Sequence, residues 1–289
     1  PLVDDNQEIK DIVSFFEDGR MVSFNENPGD FNDTKLVKTV GIMGGAGYLG
    51  SVLSRMLLSK GYQVYVLDNL LYGSQGIESF SDDENFTHVN GSMENVSEII
   101  EAIKEVDAVV HLGAIVGDPA SALDPSKTLS INLHCTKLVA DICKFYNIKK
   151  YIFASTCSVY GKNEGSTGIT EEASMNPVSL YARTKIDSEN ILLSMVDSKF
   201  SPTILRFSTL FGLSERMRFD LVVNILCAKA FFEKEITIFG GQQFRPLLST
   251  IDASRAIIKC LESNLKHVHG EIFNVGNTAL NYRILERLG

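Results

Sequence analysis

The sequence predicts an α/β fold, a doubly wound parallel sheet with a smaller C-terminal lobe. Two observations predict it. From residue 37 onward, short apolar runs rich in Val and Ile alternate with longer segments of helical periodicity, and a glycine-rich turn directly follows the first apolar run. Such alternation is typical of parallel strands joined by helices that cover both faces of one sheet. A chain of 289 residues, 44% of them hydrophobic, is long enough to bury such a core.

The elements follow in order along the chain, and each apolar run ends at a polar residue or is followed by one or by a glycine. The predicted strands are residues 37–43, 63–68, 86–90, 108–112, 149–155, 203–207, 236–239 and 271–275. The predicted helices are residues 48–60, 96–105, 125–147, a helix that begins near Ser179, 219–232 and 252–261. Residues 1–36 are predicted to be an acidic N-terminal extension, residues 37–212 the main domain and residues 213–289 the smaller lobe.

Composition and charge exclude several classes of function. The formal net charge of -9 and the pI of about 5.1 repel polyanions, which argues against a nucleic-acid-binding or anionic-membrane role. No apolar run approaches the ~20 residues of a membrane span, and the N-terminus lacks the pattern of a secretory leader. The five cysteines include no CxxC pair, which favours a reducing cytoplasm and predicts no metal site.

A dinucleotide site is predicted where the first strand meets its helix. This turn consists of Gly44, Gly45, Ala46, Gly47, Tyr48, Leu49 and Gly50. Its backbone N–H groups can hold a pyrophosphate at the positive end of the helix; Gly44 and Gly47 permit close approach, and Gly50 permits tight packing of helix on strand. The second predicted strand ends at Asp68, near the distance expected for an acid that binds the adenosine ribose. This arrangement predicts a Rossmann domain.

Asp68 also predicts which dinucleotide binds. A carboxylate can accept hydrogen bonds from both ribose hydroxyls, and it would repel a 2′-phosphate. The residues that follow it, Asn69 and Leu70, supply no compensating cation. We therefore expect the cofactor to be NAD rather than NADP.

A tyrosine and a lysine four residues apart form the candidate catalytic pair. Tyr181 and Lys185 lie at the start of the helix that begins near Ser179, so both side chains share one face. A nearby ammonium and an oxidised nicotinamide would favour the phenolate and lower the tyrosine pKa from its ordinary value of ~10. The pair therefore predicts a proton acceptor that works near neutral pH.

These features together resemble the NAD-dependent epimerase/dehydratase family, extended short-chain dehydrogenases/reductases that modify nucleotide sugars. The resemblance runs from about residue 39 to 277 and rests on the glycine turn, the Tyr–Lys pair and residues 68–70, 111–114 and 155–161. It implies that Tyr181 is the general base, that Lys185 holds the nicotinamide ribose, and that Thr156 binds the substrate hydroxyl being oxidised. The further cofactor contacts that it implies are Leu112, Gly113, Ala114, Asn132, Ala154 and Ser155.

The chain departs from the family pattern at two places. Ser92 precedes Met93 where many members have an aspartate, so the adenine amino group would meet a hydroxyl or a main-chain partner instead. Cys157 and Ser158 follow Thr156 where sugar 4,6-dehydratases have Asp-Glu, so the acid that would protonate a leaving hydroxyl is missing. Cys157 is either a proton carrier in its place or a small packed residue under the loop.

The resemblance also implies arginines for the substrate diphosphate. Arg245 holds the position that pairs with this group in nucleotide-sugar members, and a planar bidentate cation is well suited to the task. Arg206, Arg216, Arg218 and Asn224 are further candidates. We expect the family pattern to extend beyond residue 289, so that the smaller, substrate-binding lobe is incomplete.

Four functions are compatible with these residues. We expect an epimerase that oxidises a hydroxyl of a nucleotide sugar with NAD, holds the NADH, and returns the hydride to the ketone after rotation or isomerisation. The alternatives are a nucleotide-sugar dehydratase that uses Cys157, an NAD-dependent alcohol dehydrogenase or ketoreductase, and an inactive NAD-sensing protein. We also expect a homodimer, because residues 125–147 and 179–195 carry more apolar side chains than one stripe against a sheet requires.

Overall fold

Seven parallel strands form one sheet that runs through the molecule. The computed structural model describes residues 36–161, 169–238, 244–276 and 280–283. The strands are β1 Thr39–Met43, β2 Gln63–Asp68, β3 Phe86–Asn90, β4 Ala108–His111, β5 Lys150–Thr156, β6 Ser201–Phe207, β7 Thr209–Phe211, β8 Phe244–Ser249, β9 Ile272–Val275 and β10 Asn281–Arg283. The large sheet has the order β3-β2-β1-β4-β5-β6-β9, and every neighbouring pair in it is parallel. The prediction of a doubly wound parallel sheet is confirmed.

Helices cover both faces of this sheet. They are α1 Tyr48–Ser59, α2 Gln75–Glu78, α3 Val96–Ile103, α4 Asp118–Leu123, α5 Pro125–Leu129, α6 Cys135–Phe145, α7 Leu180–Ser194, α8 Val222–Phe232 and α9 Thr250–Glu262. One core lies between the sheet and helices α1 and α9, where Leu53 and Ile257 are fully buried. The other lies between the sheet and helices α3, α6 and α7, where Ile99 and Val139 are fully buried. Burial on both faces explains why the strands are nearly continuous apolar runs.

The path of the chain reverses at the centre of the sheet. From β1 the chain adds β2 and β3 on one side, and it then returns to add β4, β5 and β6 on the other. The loops after β1 and β4 therefore diverge and open a crevice at the carboxyl ends of these strands. Gly44 N donates to Leu67 O (2.9 Å) and Leu112 N donates to Met43 O (2.9 Å), so hydrogen bonds hold both loops at the edge of this crevice.

The helix predicted for residues 125–147 consists of three segments rather than one regular helix. Between α5 and α6, residues Ser130–His134 form a π-helical turn. Asn132 in this turn is buried, and its carbonyl accepts hydrogen bonds from Thr136 Oγ1 and Ser188 Oγ, both at 2.8 Å. The wider turn thus exposes a backbone carbonyl to the neighbouring helix α7. Hydrophobic periodicity does not predict such a turn.

The C-terminal part contains elements that the sequence did not predict. Strands β7, β8 and β10 form a second sheet in the order β10-β8-β7, and β9 returns to the large sheet beside β6. Residues 236–238 form no strand, which makes the strand predicted for residues 236–239 wrong over its described part. Residues 1–35 of the predicted extension and residues 239–243 lie outside the described residues. Over the described ranges, no helix combines the length and the apolar character needed to cross a membrane.

The helices on which we expect a homodimer present fewer apolar side chains to solvent than their sequence suggests. Phe145 at the end of α6 is 79% exposed, and Leu129 at the end of α5 is 37% exposed. Val139 and Leu192, two of the apolar side chains within residues 125–147 and 179–195, are buried in the core. The homodimer through residues 125–147 and 179–195 stays a prediction, and Phe145 and Leu129 are the exposed large apolar side chains of these segments.

Replacing Phe145 by Glu should weaken a dimer that uses this surface, because a two-fold interface would bury the new charge in both subunits. Light scattering at micromolar concentration should give twice the mass of one chain for the wild type and a lower mass for the variant. Phe232→Glu is the matched control, since Phe232 on α8 is equally exposed (78%). A wild type with the mass of one chain would contradict the prediction.

Candidate active site

The turn after β1 requires glycine for two different reasons. Gly44 has a φ of +80°, and a Cβ there would lie 2.6 Å from Gly113 Cα, so neither the backbone conformation nor the space admits a side chain. At Gly50 a Cβ would lie 2.5 Å from Gly44 O, because α1 packs closely on the turn. A Cβ at Gly47 would meet only Gly44 O, at 3.3 Å. The protein's own packing therefore excludes a Cβ at Gly44 and Gly50, whereas a Cβ at Gly47 would make a single tight contact, with the Gly44 carbonyl.

A cavity of about 450 Å³, a size typical of small-molecule sites, lies at the carboxyl ends of the strands beside this turn. The predicted site residues that line it are Gly44, Gly47, Tyr48, Leu49, Gly50, Asp68, Asn69, Ser92, Met93, Leu112, Gly113, Ala114, Ala154, Ser155, Thr156, Cys157, Tyr181, Lys185, Arg216 and Arg218. The predicted site residues outside the lining are Ala46, Leu70, Asn132, Arg206, Asn224 and Arg245. One cavity thus joins the glycine turn, the ribose acid and the Tyr–Lys pair.

Asp68 forms the wall of the cavity at the end of β2. Its carboxylate accepts the N–H of Ala46 at Oδ2 (3.1 Å) and the N–H of Leu70 at Oδ1 (2.9 Å). These bonds fix the carboxylate beside the glycine turn, so Ala46 and Leu70 support the site without lining it. A carboxylate has about four lone-pair positions, and two of them remain available to hydroxyl donors.

The part of the cavity after β3 is lined by Ser92 and Met93, as predicted, and by an ion pair that was not. Lys127 Nζ lies 2.7 Å from Glu94 Oε2, which also accepts a hydrogen bond from Ser92 Oγ (3.4 Å). Met93 packs against Gly113, where a Cβ would lie 2.7 Å from the Met93 Cε. Lys127 lies on α5 and Glu94 in the loop after β3, so no local pattern in the sequence connects them.

Three polar side chains meet where β5 ends and α7 begins. The hydroxyl of Tyr181 forms a hydrogen bond with the side chain of Thr156. Lys185 Nζ donates to Ala154 O at 2.7 Å and lies 4.4 Å from the centre of the Phe153 ring. The ammonium is thus held by a carbonyl dipole and an aromatic face, one helical turn from the tyrosine.

Burial controls the protonation of these side chains. It raises the pKa of Tyr181 to about 12, and the hydrogen bond with Thr156 opposes this rise. It lowers the pKa of Lys185 to about 7, while the carboxylate of Glu189 raises that pKa. The prediction of a lowered tyrosine pKa assumes that the positive charge of an oxidised nicotinamide lies nearby. Among the protein groups alone, burial outweighs the charges, and Tyr181 is a neutral phenol at neutral pH.

Arg206 does not line the cavity, which corrects its assignment as a substrate contact. Its side chain is 2% exposed, and its Nη2 pairs with Glu189 Oε2 at 2.7 Å. Its Nη1 donates to Tyr160 Oη (2.8 Å) and to Glu171 O (3.0 Å). Protein acceptors therefore occupy the guanidinium from both sides. The sequence analysis missed Glu189, although its place four residues after Lys185 put it on the same face of α7.

Asn132 holds a loop rather than lining the cofactor cavity as predicted. Its Oδ1 accepts the N–H of Ile115 (2.7 Å), and its Nδ2 donates to Ile115 O (2.9 Å) and to Thr184 Oγ1 (3.3 Å). The loop after β4 is thereby tied to the π-helical turn and to α7. Asn132 shapes the cavity wall from behind.

Residues 212–218, which we call the bridge segment, are fastened to the first turn of α1. Tyr48 Oη donates to Gly212 O (2.7 Å), and Ser214 Oγ donates to Tyr48 O (2.7 Å). Asn224 Nδ2 donates to Tyr48 Oη (3.0 Å), and its Oδ1 accepts the N–H of Gly212 (3.1 Å). Asn224, predicted as a substrate contact, lies outside the cavity lining and holds the bridge segment in place.

The bridge segment places two arginines in the cavity wall. The Arg216 guanidinium lies 4.1 Å from the centre of the Tyr72 ring, and both residues line the cavity. Arg218 lines it as well and pairs with Asp220. Tyr72 was not predicted, because its contact with Arg216 joins segments that are distant in the sequence.

Of the predicted residues Cys157 and Arg245, the first lines the cavity and the second does not. Cys157 lines the cavity directly after Thr156. Burial raises the pKa of its thiol to about 11, and the charge of Arg245 opposes this rise. Arg245 on β8 is exposed and outside the lining. Its contact with a substrate diphosphate stays a prediction, as does the role of Cys157.

The chain belongs to the NAD dependent epimerase/dehydratase family, whose model matches residues 40–276. This range contains every residue of the cavity lining. Membership confirms the predicted family, an enzymatic function and NAD as the cofactor. The residues present fit NAD: Gly47 leaves room for close approach of a phosphate, Asp68 keeps lone pairs for ribose hydroxyls, and Lys185 holds an ammonium at the other end.

Relatives in sequence and structure include sugar-nucleotide epimerases and also a dehydratase. UDP-glucose 4-epimerase from Bacillus subtilis is 28% identical over 85% of this chain and 78% of the relative. UDP-glucose 4-epimerase from Lactobacillus helveticus is 30% identical over 86% of this chain and 78% of the relative. The solved structure of UDP-glucuronic acid 4-epimerase from Bacillus cereus, in complex with UDP-glucuronic acid and NAD, is 27% identical with a TM-score of 0.76, covering 86% of this chain and 80% of that chain.

The different demands on the glycines predict opposite effects of two alanine substitutions. Gly47→Ala should lower the thermal stability much less than Gly50→Ala and should weaken NAD binding, because the added methyl group makes one tight protein contact and enters space that the pyrophosphate requires. Gly50→Ala should instead lower the free energy of unfolding by ~1–3 kcal/mol, the usual effect of overpacking. Thermal melts and calorimetric titration with NAD distinguish the two. Unchanged NAD affinity in Gly47→Ala would remove the turn from the cofactor site.

Proposed function

We propose that this protein epimerises a nucleotide sugar by transient oxidation of one sugar hydroxyl with NAD. The observation that carries the proposal is that Tyr181, Thr156 and Lys185 line the same cavity as the glycine turn and Asp68. Proton transfer and dinucleotide binding therefore share one site. Similarity to UDP-sugar 4-epimerases over most of the chain also supports an epimerase function.

The three side chains divide the handling of one proton. Thr156 Oγ1 binds the sugar hydroxyl, Tyr181 Oη takes its proton, and Lys185 Nζ holds the cofactor ribose and stabilises the phenolate. NAD, when bound, supplies a hydride acceptor that returns the same hydride. Once the ketone has turned its opposite face toward the cofactor site, Tyr181 gives the proton back to its oxygen as the hydride returns. The sugar then leaves with one centre inverted and its mass unchanged.

Tyr181 needs positive charge nearby to act as a base near neutral pH. With a pKa raised to about 12 by burial, the phenol alone would keep its proton. The Lys185 ammonium and the charge of an oxidised nicotinamide both favour the phenolate. Proton removal is therefore linked to a loaded cofactor and does not start without one.

The nucleotide part of the substrate is held by the smaller lobe, residues 213–289. Arg216 and Arg218 of the bridge segment line the cavity and present cations to a diphosphate. Arg245 on β8 supplies a third cation, in line with the family pattern. A nucleotide sugar would thus lie with its diphosphate at these arginines and its sugar at Tyr181.

The acids around the cavity favour an epimerase over a dehydratase, because elimination of water needs an acid that protonates the leaving hydroxyl. Among the described residues, the carboxylates that line the cavity are Asp68 and Glu94. Asp68 ends β2, three strands from β5 in the sheet and so about 14 Å from Thr156. Cys157, with a pKa of about 11, is a far weaker acid than a carboxyl group.

Tyr181→Phe should fold and bind NAD, since the ring and its packing remain, but should lose turnover by about 10²–10⁴, the usual contribution of a general base. Turnover is measured with the nucleotide sugar that the wild type converts. Tyr146→Phe, which removes a hydroxyl outside the cavity, is the control and should be fully active. Turnover of the Tyr181 variant within tenfold of the wild type would exclude the tyrosine as the base.

Incubation with a panel of nucleotide sugars should give a product of unchanged mass but different configuration, without accumulation of NADH. Mass spectrometry and sugar analysis of the products test this directly. A product lighter by one water would show a dehydratase. Steady production of NADH would show a dehydrogenase, and NAD binding without any product would favour a sensor.

A further inference from the structure

We propose that Glu189 is a positioning residue for proton transfer, which holds the Lys185 ammonium and the end of β5 in their working arrangement. The inference deepens the proposed function and rests on it for the role of Lys185. Glu189 is 1% exposed and does not line the cavity, so it acts through its neighbours.

One buried carboxylate connects three elements of the site. Glu189 on α7 accepts Arg206 Nη2 of β6 at 2.7 Å and Arg206 Nε at 3.2 Å, and its Oε1 accepts the hydroxyl of Ser155 on β5. A buried ion pair is seldom more stabilising than well-packed apolar side chains of similar size. Its presence directly beneath the candidate catalytic residues is therefore better explained by its effect on them.

Three consecutive residues of β5 each contact one polar side chain of α7. Ala154 O accepts Lys185 Nζ, the Ser155 hydroxyl donates to Glu189, and Thr156 bonds with Tyr181. The three α7 residues stand four apart in the sequence and so follow one face of the helix. Glu189 is the anchor of this row, because Arg206 ties it to β6. A shift of its carboxylate would displace the strand end that carries the other two contacts.

The groups that face Lys185 leave Glu189 as its counter-charge among the described residues. Tyr181, on the same helix, is a neutral phenol. His111 on β4 is neutral as well, because burial and the nearby ammonium lower its pKa to about 3. The contacts from β5 are a carbonyl and an aromatic ring, which carry no net charge. Arg206 on β6 is held on Glu189 by the bonds given above.

The sign of the effect on Lys185 follows from its burial. Burial lowers the pKa of the amine to about 7, and the Glu189 carboxylate raises it. The ammonium form, which binds the ribose hydroxyls and stabilises the phenolate, is present below this pKa. Without the negative charge of Glu189, burial acts unopposed and Lys185 loses its proton at a lower pH.

The test is the pH dependence of NAD binding by Glu189→Gln. Binding is measured by calorimetric titration with NAD at a series of pH values that extends from below to above the pKa of Lys185. The amide keeps the shape of the side chain; its carbonyl can accept from Arg206 while its NH₂ group faces Ser155 Oγ. In the wild type, NAD affinity should fall as pH rises through the pKa of Lys185. In Glu189→Gln the midpoint of this fall should lie about one pH unit or more lower.

Asp187→Asn is the matched control, because it removes one negative charge from the same helix at a half-buried position; its midpoint should equal that of the wild type. If Glu189→Gln does not fold, the double variant Glu189→Gln with Arg206→Met removes both buried charges. Its midpoint should still lie below that of the wild type, but by less than in Glu189→Gln, because the positive charge of Arg206 is lost as well.

If the midpoint of Glu189→Gln equals that of the wild type while its NAD affinity is lower at every pH, Glu189 has only a structural role and the proposal is overturned. A wild-type NAD affinity that does not fall as pH rises would also overturn it. No sugar is present in this titration. A failed panel of nucleotide sugars therefore leaves its result intact, and an unshifted midpoint leaves the epimerase assignment intact.

Discussion

Strands β1 and β4 lie side by side, but the chain leaves them toward opposite edges of the sheet, and the site depends on this divergence. No crossover helix covers the gap between their carboxyl ends, so the loops that follow must build its walls. The glycine turn supplies one wall and residues 112–114 the other, at a spacing so small that Gly44 and Gly113 nearly touch. The other lining residues come from the ends of neighbouring strands, from helices α1, α5 and α7, from the π-helical turn and from the bridge segment and the residues that follow it.

The sequence predicts the parts of this arrangement that depend on local pattern. Strands β1, β4, β5 and β6 are buried almost throughout, so their apolar composition predicts them. The glycine turn and the Tyr181–Lys185 spacing are likewise local, because a tight turn and a single helical face impose their own residue types. These features account for the large sheet and for both ends of the cavity.

What the sequence did not predict depends on contacts between distant segments. The sequence around Arg206 does not reveal whether this arginine binds a diphosphate or a buried carboxylate. The packing of α7 on β6 determines that its partner is Glu189. Strands β7 and β10 are three residues long, too short for a period of two to emerge. The π-helical turn at Asn132 is stabilised by hydrogen bonds with α7. These bonds do not alter the pattern of apolar residues in the segment that contains Asn132, so that pattern does not predict the turn.

The bonds between Tyr48 and the bridge segment have a thermodynamic consequence. They join the helix start that faces a cofactor pyrophosphate to the backbone that carries Arg216 and Arg218, so the two binding surfaces share one set of restraints. If both ligands require the same ordered arrangement of these segments, the entropy lost in ordering them is lost only once, when the first ligand binds. Linkage then demands reciprocity: the factor by which the first ligand tightens the second is the factor by which the second retains the first.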